Sequence, residues 1–189
     1  MLEEVIVAGF GGQGVLSMGM TLAYAGMVEE KEISWMPSYG PEMRGGTANC
    51  ITIISDNKIS SPILSQFDTA IVLNQPSMDK FASMVKPRGL LLYESGAILQ
   101  PSTRSDIDII GIPALAEAQK MKNPRIMNMI MLGAYLHLKQ VVSLESILEA
   151  LKKVLPDKYH HLLPLNEEAL MKGEEMVNYE LREGVMLVC

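Results

Sequence analysis

The sequence predicts an α/β fold, with a mostly parallel sheet and helices on both faces in a Rossmann-like three-layer domain. Short apolar runs typical of buried strands alternate with helical segments along most of the 189 residues. The first of these runs, residues 5–8, leads into a glycine-rich turn and then into a helix. No repeat, low-complexity tract or linker divides the chain. We therefore expect one domain over residues 1–183 and a short apolar tail at 184–189.

In the first third of the chain, residues 5–8 predict a buried strand, and the apolar segment 15–28 predicts the first helix. Residues 33–36 predict a second strand. A loop is expected over residues 37–46, because this segment contains two prolines and three glycines. The β-rich run at 48–55 predicts the next strand.

The remainder of the chain continues the alternation and ends in helices. Pro87-Arg88-Gly89 predicts a turn ahead of a strand, and Ser143 and Asn166 are predicted helix caps. The segment 125–140 is apolar on nearly every face, which predicts a helix buried on more than one side. The predicted strands are 69–73, 90–93 and 108–112, and the predicted helices are 77–85, 114–121, 125–140, 144–154 and 167–179.

The composition limits the partners and the location of the protein. Acidic residues outnumber basic ones, 22 to 16, and a net charge of −6 gives no general attraction for nucleic acid or anionic lipid. The N-terminus has no signal-peptide pattern, and no apolar run reaches the roughly 18 residues that span a membrane. We therefore expect a cytoplasmic protein that binds neither nucleic acid nor membranes. The 15 methionines fit either core packing or a buried subunit interface.

No catalytic residue and no metal ligand is predicted. The two cysteines, Cys50 and Cys189, lack the close spacing of iron–sulfur or zinc ligands. The three histidines, His137, His160 and His161, belong to no catalytic motif and are expected to be packed or at the surface. The Gly-Asp-Gly signature of thiamine enzymes is also absent, so this chain is not expected to hold thiamine diphosphate by itself.

The glycine-rich turn is the first candidate site. Gly9, Gly11 and Gly14 fit the pattern G-x-G-x-x-G between a strand and a helix, and Gly12 and Gln13 complete the candidate set. Glycines permit close backbone approach, and a helix N-terminus offers free N–H groups and a partial positive charge. We expect an anion, a phosphate group above all. The alternative is that the glycines only let the helix pack tightly on the strand.

A nicotinamide cofactor is not favoured at this turn. A dinucleotide site would need an acidic residue at the end of the second strand, to hold the ribose hydroxyls. Here Met36 is followed by Pro37 and Ser38, and Glu32 lies before the strand.

The second candidate segment is the proline- and glycine-rich stretch at residues 37–50. Its composition fixes an irregular shape, and the planar guanidinium of Arg44 suits a carboxylate, a phosphate or a partner chain. The alternative is a structured loop in which Glu42 and Arg44 are merely solvated.

Together the two segments resemble the gamma subunit of the 2-oxoacid:ferredoxin oxidoreductases. The resemblance rests on Gly-Phe-Gly-Gly-Gln-Gly at 9–14 and Ser-Tyr-Gly-Pro-Glu-Met-Arg-Gly-Gly at 38–46, with further similarity at 128–134. It covers residues 3–180. Met43, followed by Thr-Ala-Asn-Cys at 47–50, is most similar to the 2-oxoglutarate branch, with the 2-oxoisovalerate enzymes next.

The resemblance implies a non-catalytic subunit of a larger enzyme. That enzyme oxidatively decarboxylates a 2-oxoacid, here 2-oxoglutarate by the nearest likeness, to an acyl-CoA such as succinyl-CoA, and it reduces ferredoxin. The implied partners are the alpha and beta subunits, and a delta subunit where the assembly has one. Thiamine diphosphate, Mg²⁺, [4Fe–4S] clusters and coenzyme A are then used by the complex rather than held by this chain alone.

Within that role we predict two sites. Gly9, Gly11, Gly12, Gln13 and Gly14 would lie at a phosphate of coenzyme A or near the shared cofactor site. Tyr39, Glu42, Arg44, Gly45 and Gly46 would dock the catalytic subunits, with Arg44 as the anchor.

Three alternatives stay open at this point. The chain could be the gamma subunit of a 2-oxoisovalerate or pyruvate enzyme, since substrate selectivity should lie mainly in the other subunits. It could instead be a free-standing nucleotide-binding regulatory module that uses the same glycine turn. A small independent NAD enzyme is the third, weakened by the missing acidic residue.

Overall fold

The computed structural model describes residues 1–39 and 46–182, which form a six-stranded sheet and six α-helices. The strands are β1 (Leu2–Phe10), β2 (Glu32–Tyr39), β3 (Thr47–Ser55), β4 (Phe67–Val72), β5 (Val85–Glu94) and β6 (Asp108–Ile112). The helices are α1 (Val15–Val28), α2 (Gln75–Phe81), α3 (Ala114–Lys120), α4 (Met127–Lys139), α5 (Leu144–Val154) and α6 (Leu163–Arg182). Three short 3₁₀ turns, Ala82–Met84, Pro124–Ile126 and Asp157–Leu162, adjoin helices or strands.

The strand order is β2-β3-β1-β4-β5-β6. Strands β1, β4, β5 and β6 are mutually parallel, which confirms the mostly parallel sheet predicted from the sequence. Strand β3 is the exception, because it runs antiparallel to both β1 and β2. Only residues 40–46 connect β2 to β3, too few for the helical crossover that a parallel pair requires.

The strands that follow β1 in the chain are added first on one side of it and then on the other. From β1 it moves through α1 to β2 at one edge, and it later proceeds from β4 to β6 at the other edge. The carboxyl ends of β1 and β4 therefore flank a topological switch point, where open α/β sheets form ligand crevices.

Helices lie on both faces of the sheet, as predicted, but they are divided unequally. Side chains alternate between the faces along a strand, so Val5 and Val7 of β1 pack into the larger core, to which α1, α3, α4, α5 and α6 contribute. Ile6 and Ala8 point to the other face, where α2 covers a smaller core. No helix in the described part of the chain has both the length and the apolarity to cross a membrane.

Two glycines allow the close contact between α4 and α6. A Cβ atom built on Gly133 of α4 would lie 2.0 Å from the carbonyl oxygen of Leu170, and one on Gly173 of α6 would lie 2.0 Å from that of Ile130. Residues of α4 from Met127 to Leu136 are all buried, which confirms the helix predicted to be buried on more than one side. Backbone meets backbone at this crossing, so a side chain at either glycine has no space.

The predicted loop at 37–46 is wrong for its first residues, because β2 continues to Tyr39. Pro37, Ser38 and Tyr39 pair with Cys50, Asn49 and Ala48 of β3. Proline is tolerated there because β2 is at the edge of the sheet.

The predicted cap at Asn166 is also wrong, because α6 begins at Leu163. Pro164 lies in the first turn of α6, where a missing N–H costs nothing. The Asn166 side chain instead donates a hydrogen bond to the carbonyl oxygen of Leu162, at 2.7 Å. The cap at Ser143 is confirmed, since its hydroxyl accepts from the N–H of Ser146 at 3.1 Å.

The region from 74 to 90 differs from the prediction in two places. Helix α2 starts at Gln75 and ends at Phe81, and Asn74 caps it by accepting from the Ser77 N–H at 2.8 Å. The turn expected at 87–89 is instead an irregularity within β5, where Arg88 has a φ of 62° and the pairing with β4 shifts its register.

We expect Gly133→Ala to lower the free energy of unfolding by about 2 kcal/mol or more, because the added methyl group would collide with the backbone of α6. Urea denaturation followed by circular dichroism measures the change. The control is Met171→Ala, which removes a half-exposed side chain from α6 and should change stability by less than about 0.5 kcal/mol. Equal losses in both variants would contradict the close backbone contact.

Candidate functional site

The glycine turn joins the end of β1 to the start of α1 at the switch point of the sheet. Gly12 and Gly14 have φ angles of 98° and 78°, a backbone region that glycine enters at little cost. A Cβ atom on Gly14 would lie 2.4 Å from the side-chain nitrogen of Asn128. One on Gly9 would lie 2.6 Å from the side-chain oxygen of Gln13. These two glycines are therefore needed for packing.

Gly12 is different, because a Cβ atom built on it would meet nothing within 4 Å. The turn is thus closely packed at both ends and open in the middle. An open position with exposed backbone suits a ligand, whereas tight packing of the helix on the strand does not require it.

The Gln13 side chain holds the turn in place. Its Oε1 accepts from the N–H of Phe10 at 2.6 Å, and its Nε2 donates to the carbonyl oxygen of Leu73 at 3.2 Å. Leu73 follows β4, and its own N–H donates to the Ala8 carbonyl of β1 at 2.9 Å. Gln13 therefore links the turn to the ends of both central parallel strands. Direct contact of Gln13 with a cofactor stays a prediction.

The N-terminus of α1 is uncapped. Gly14 occupies the cap position without a side chain, and the first turn of the helix contains no acidic residue. In the described part of the chain, the N–H groups of Val15, Leu16 and Ser17 have no acceptor, and the N–H of Met18 donates to the Gly14 carbonyl oxygen at 2.9 Å. They leave a partial positive charge and several free donors beside the open position at Gly12. This arrangement binds anions in many proteins.

The second candidate segment meets the glycine turn directly. The N–H of Gly11 donates to the carbonyl oxygen of Gly46 at 2.9 Å, and Phe10 pairs with Thr47 at the end of the β1–β3 ladder. Tyr39 closes β2 nearby, and its side chain is 73% exposed. Gly46 is buried. Glu42, Arg44 and Gly45 lie outside the described residues, as does the predicted tail at 184–189.

A cleft of about 500 Å³ opens on the other side of the turn, next to Gly14. Its polar lining includes Ser17 of α1, Arg125 of the turn before α4, Asn128 of α4 and Tyr159. No sequence pattern predicted this cleft. Asn128 begins the 128–134 segment that contributed to the family resemblance, and that was the available signal.

Cys50, His137 and His160 are engaged in packing or in local hydrogen bonds. Burial raises the pKa of the Cys50 thiol to about 12, and the thiol donates to the Val15 carbonyl oxygen at 3.4 Å. His137 lies 3.1 Å from the side-chain oxygen of Asn178, and His160 lies 2.9 Å from the Leu155 carbonyl oxygen. Over residues 1–39 and 46–182, no three His, Cys, Asp or Glu side chains are grouped so that they could hold a metal ion.

Comparison with known proteins decides the family. Residues 4–176 match the family model described as pyruvate ferredoxin/flavodoxin oxidoreductase. The chain belongs to this family. It is 41% identical over 173 residues to the ketoisovalerate oxidoreductase subunit VorA of Methanothermobacter thermautotrophicus, a match that covers 91% of this chain and 36% of VorA. The chain thus spans about a third of the length of this relative.

Shorter relatives and solved structures are similar over nearly their whole length. The 2-oxoglutarate synthase subunit KorC of Methanocaldococcus jannaschii is 33% identical over 159 residues, covering 82% of this chain and 85% of KorC. The gamma subunit of a keto/oxoacid ferredoxin oxidoreductase from Geobacter sulfurreducens PCA superposes with a TM-score of 0.82 at 27% identity, covering 95% of this chain and 98% of that one. The gamma-subunit resemblance predicted from the sequence is confirmed.

A further structural neighbour is a 2-oxoglutarate:ferredoxin oxidoreductase from Magnetococcus marinus, solved with 2-oxoglutarate, coenzyme A and succinyl-CoA bound. It superposes with a TM-score of 0.86 at 26% identity, and the match covers 94% of this chain and 31% of that one. In this neighbour the same fold forms part of a longer chain.

We expect Gln13→Ala to raise the rate of hydrogen exchange at the Phe10 amide about tenfold, because the side chain that accepts its hydrogen bond is lost. Exchange measured by mass spectrometry or NMR reports this change. Gln119→Ala, which removes an exposed glutamine from α3, should leave the Phe10 amide unaffected. Unchanged exchange in the Gln13 variant would show that Gln13 does not hold the turn.

Proposed function

We propose that this gamma-type chain completes a multi-subunit enzyme that oxidatively decarboxylates a 2-oxoacid to an acyl-CoA and reduces ferredoxin. The 43–50 motif favours 2-oxoglutarate, which gives succinyl-CoA. The second candidate is 2-oxoisovalerate, favoured by the 41% identity to a ketoisovalerate oxidoreductase subunit. Substrate choice would depend mainly on the subunits that hold the 2-oxoacid.

The observation that carries the proposal is the free N-terminus of α1 beside the open Gly12. Coenzyme A, when bound, supplies the thiol that takes up the acyl group. This chain's part is to hold one of its phosphates on the N–H groups of the first turn of α1, with Gly12 allowing the close approach. Gln13 keeps the turn in shape through Phe10 and Leu73.

The second part of the proposal concerns docking. Tyr39 presents an exposed aromatic ring and Gly46 contacts the glycine turn, so a partner subunit seated on this segment would lie next to the bound anion. Arg44, known here from the sequence alone, is the proposed anchor. The partners would be the alpha and beta subunits, and delta where present, which would hold thiamine diphosphate, Mg²⁺ and the [4Fe–4S] clusters. A cytoplasmic location also stays a prediction.

A free-standing nucleotide-binding module is the second candidate. The same uncapped helix supports it, because that site needs no partner chain to bind an anion. The two candidates differ in the expected result of purifying the chain from its host. The first predicts that partner subunits are recovered with it, and the second predicts a chain that is recovered alone and binds a nucleotide.

We expect the tagged chain, purified without oxygen from its native host, to bring down subunits that carry a thiamine signature and cluster cysteines. The complex should reduce ferredoxin with a 2-oxoacid and coenzyme A. Initial rates with 2-oxoglutarate, 2-oxoisovalerate and pyruvate identify the substrate, and we expect one to exceed the others by about tenfold or more.

The matched variants for this experiment are Arg44→Ala and Lys152→Ala, which each remove one positive charge. The Arg44 variant should recover less partner per tagged chain, whereas the exposed Lys152 of α5 should have no effect. Full recovery with Arg44→Ala would remove Arg44 from docking. A chain that comes down alone and binds a nucleotide would favour the regulatory module.

We expect Gly12→Asp in the assembled complex to weaken coenzyme A binding by more than about tenfold, because a carboxylate would compete for the helix N-terminus and repel the phosphate. Calorimetry gives the dissociation constant directly. Gly12→Ala is the control, since it carries the cost of the 98° φ angle without the charge. Wild-type affinity in the aspartate variant would exclude the turn as the phosphate site.

A further inference from the structure

We propose that the buried carboxyl group of Glu3 is a proton-dependent latch, which secures the start of β1 to β4 and α4 while it is protonated and weakens the fold when it ionises. The Glu3 latch comprises Glu3, Thr69 of β4 and Tyr135 of α4. It lies at the amino end of β1, whereas the glycine turn follows the carboxyl end of that strand. The latch therefore does not depend on the proposed function, and it makes the stability of this chain respond to pH.

Glu3 lies where the central strands meet the most buried helix. Its side chain is only 8% exposed and is on the same face of β1 as Val5, toward the larger core. The hydroxyl of the completely buried Thr69 donates to Oε1 of Glu3 at 2.6 Å. Tyr135 approaches from α4, and the partner of Glu3 in β3 is the apolar Ile54. One carboxyl group thus links β1 and β4 beneath α4.

The charge of an ionised Glu3 is not paired. Among the described residues, no basic side chain forms an ion pair with it, and Lys86 of β5 instead binds Glu4 at 2.5 Å and Asp68 at 2.7 Å. Lys139 of α4 acts on Glu3 through its charge, without an ion pair. A buried carboxylate without a paired cation is costly, and taking up a proton removes that cost.

The other buried acid of the sheet is stabilised differently. Glu94, at the end of β5, is completely buried. Its carboxylate accepts from the backbone N–H of Ala97 at 2.6 Å and from that of Leu115 at 3.2 Å. Backbone donors on both oxygens favour the ionised form. Burial alone therefore does not make a latch, and Glu3 differs from Glu94 in its donors.

The balance of forces on Glu3 favours the neutral acid. Burial raises the pKa of Glu3 above its ordinary value of 4.5, because the carboxylate loses its hydration. The Thr69 hydrogen bond and the positive charges of Lys139 and Lys86 act in the opposite direction, and the negative charge of Asp68 acts with burial. The opposing groups of β4, β5 and α4 reduce the effect of burial without cancelling it.

Tyr135 does not change charge in the same pH range. Burial raises the pKa of its phenol well above the ordinary value, and the charges of Glu3 and Asp68 raise it further. The Tyr135 hydroxyl is buried and has no hydrogen-bond partner in the part of the chain that the structure describes. Protonated Glu3 brings a hydrogen-bond donor close to this oxygen, which an ionised Glu3 does not have.

The stability of the fold should fall as Glu3 ionises. The folded chain binds the Glu3 proton more tightly than the unfolded chain, so the contribution of Glu3 is complete below pH 4.5 and is lost as the pH rises through the folded-state pKa. Glu29 has the opposite effect. Its partial burial raises its pKa, but hydrogen bonds from Lys31 and Ser143 lower it to about 2, so its contribution is lost as the pH falls. Glu3 must therefore be measured against a variant that cannot titrate.

The experiment measures urea unfolding of the full chain over a pH series for the wild type and for Glu3→Gln, which keeps an acceptor for Thr69 but cannot ionise. Below pH 4.5 the two unfolding constants should be similar. Above it, the constant of the wild type should rise relative to that of the variant by up to about tenfold per pH unit, until the folded-state pKa is reached. Glu3→Gln should then be the more stable chain at neutral pH. Glu167→Gln, which removes an exposed carboxylate from α6, is the matched control and should follow the wild type.

A second measurement observes the carboxyl group itself. Carbon-13 NMR of glutamate labelled at Cδ, with Glu3 assigned through its backbone nuclei, should show wild-type Glu3 titrating above pH 4.5. Lys139→Met should raise the midpoint further, because a charge that favours the carboxylate is lost, whereas the exposed Lys152→Met of α5 should leave it unchanged.

Two results would overturn the latch. One is a ratio of unfolding constants between wild type and Glu3→Gln that stays the same at every pH. The other is a wild-type Glu3 midpoint at or below 4.5, which needs no variant and so decides the matter even if Glu3→Gln does not fold.

Discussion

The central position of β1 is the constraint on which the rest of the structure depends. Val5, Val7 and Ala8 are completely buried, and β1 pairs with β3 on one side and β4 on the other. The chain must therefore leave the end of β1 by a tight turn and cover the sheet with α1. That geometry puts the glycine turn, the start of α1 and the end of β4 at one place. It also exposes the N–H groups of α1 at the edge where the strand order reverses.

The sequence of the turn allowed two explanations for its glycines, a ligand site and tight packing of the helix on the strand. The glycines of the turn differ in which explanation they fit. Gly9 and Gly14 are needed for packing against Gln13 and Asn128, as the structural explanation requires. Gly12 packs against nothing and lies open beside an uncapped helix, so it leaves room for a ligand, while its φ of 98° favours glycine with or without one. A single motif thus serves the packing of the sheet and leaves room for the proposed site at its edge.

Local pattern was enough to predict the α/β class, the buried α4 and the cap at Ser143, since each depends on residues close together in sequence. It could not predict that β3 runs antiparallel, because an apolar run has the same appearance in either direction. It also predicted the start of α6 too late, because Asn166 is a typical cap residue, whereas the helix already begins at Leu163 with Pro164 in its first turn. The cleft was missed for a different reason. Asn128 is 114 residues from Gly14, and only the packing of α4 beside α1 brings them together.

The hydrogen bond from Gly11 to Gly46 couples the turn to the segment that follows it into β3. A ligand or subunit that favoured this junction would contribute free energy to both proposed sites, and thermodynamic linkage would make the factor equal in the two directions. The assembly of the subunits and the affinity of the glycine turn for its ligand would then be two measurements of one equilibrium. A change in either property, observed in a variant, must be interpreted together with the other in the same complex.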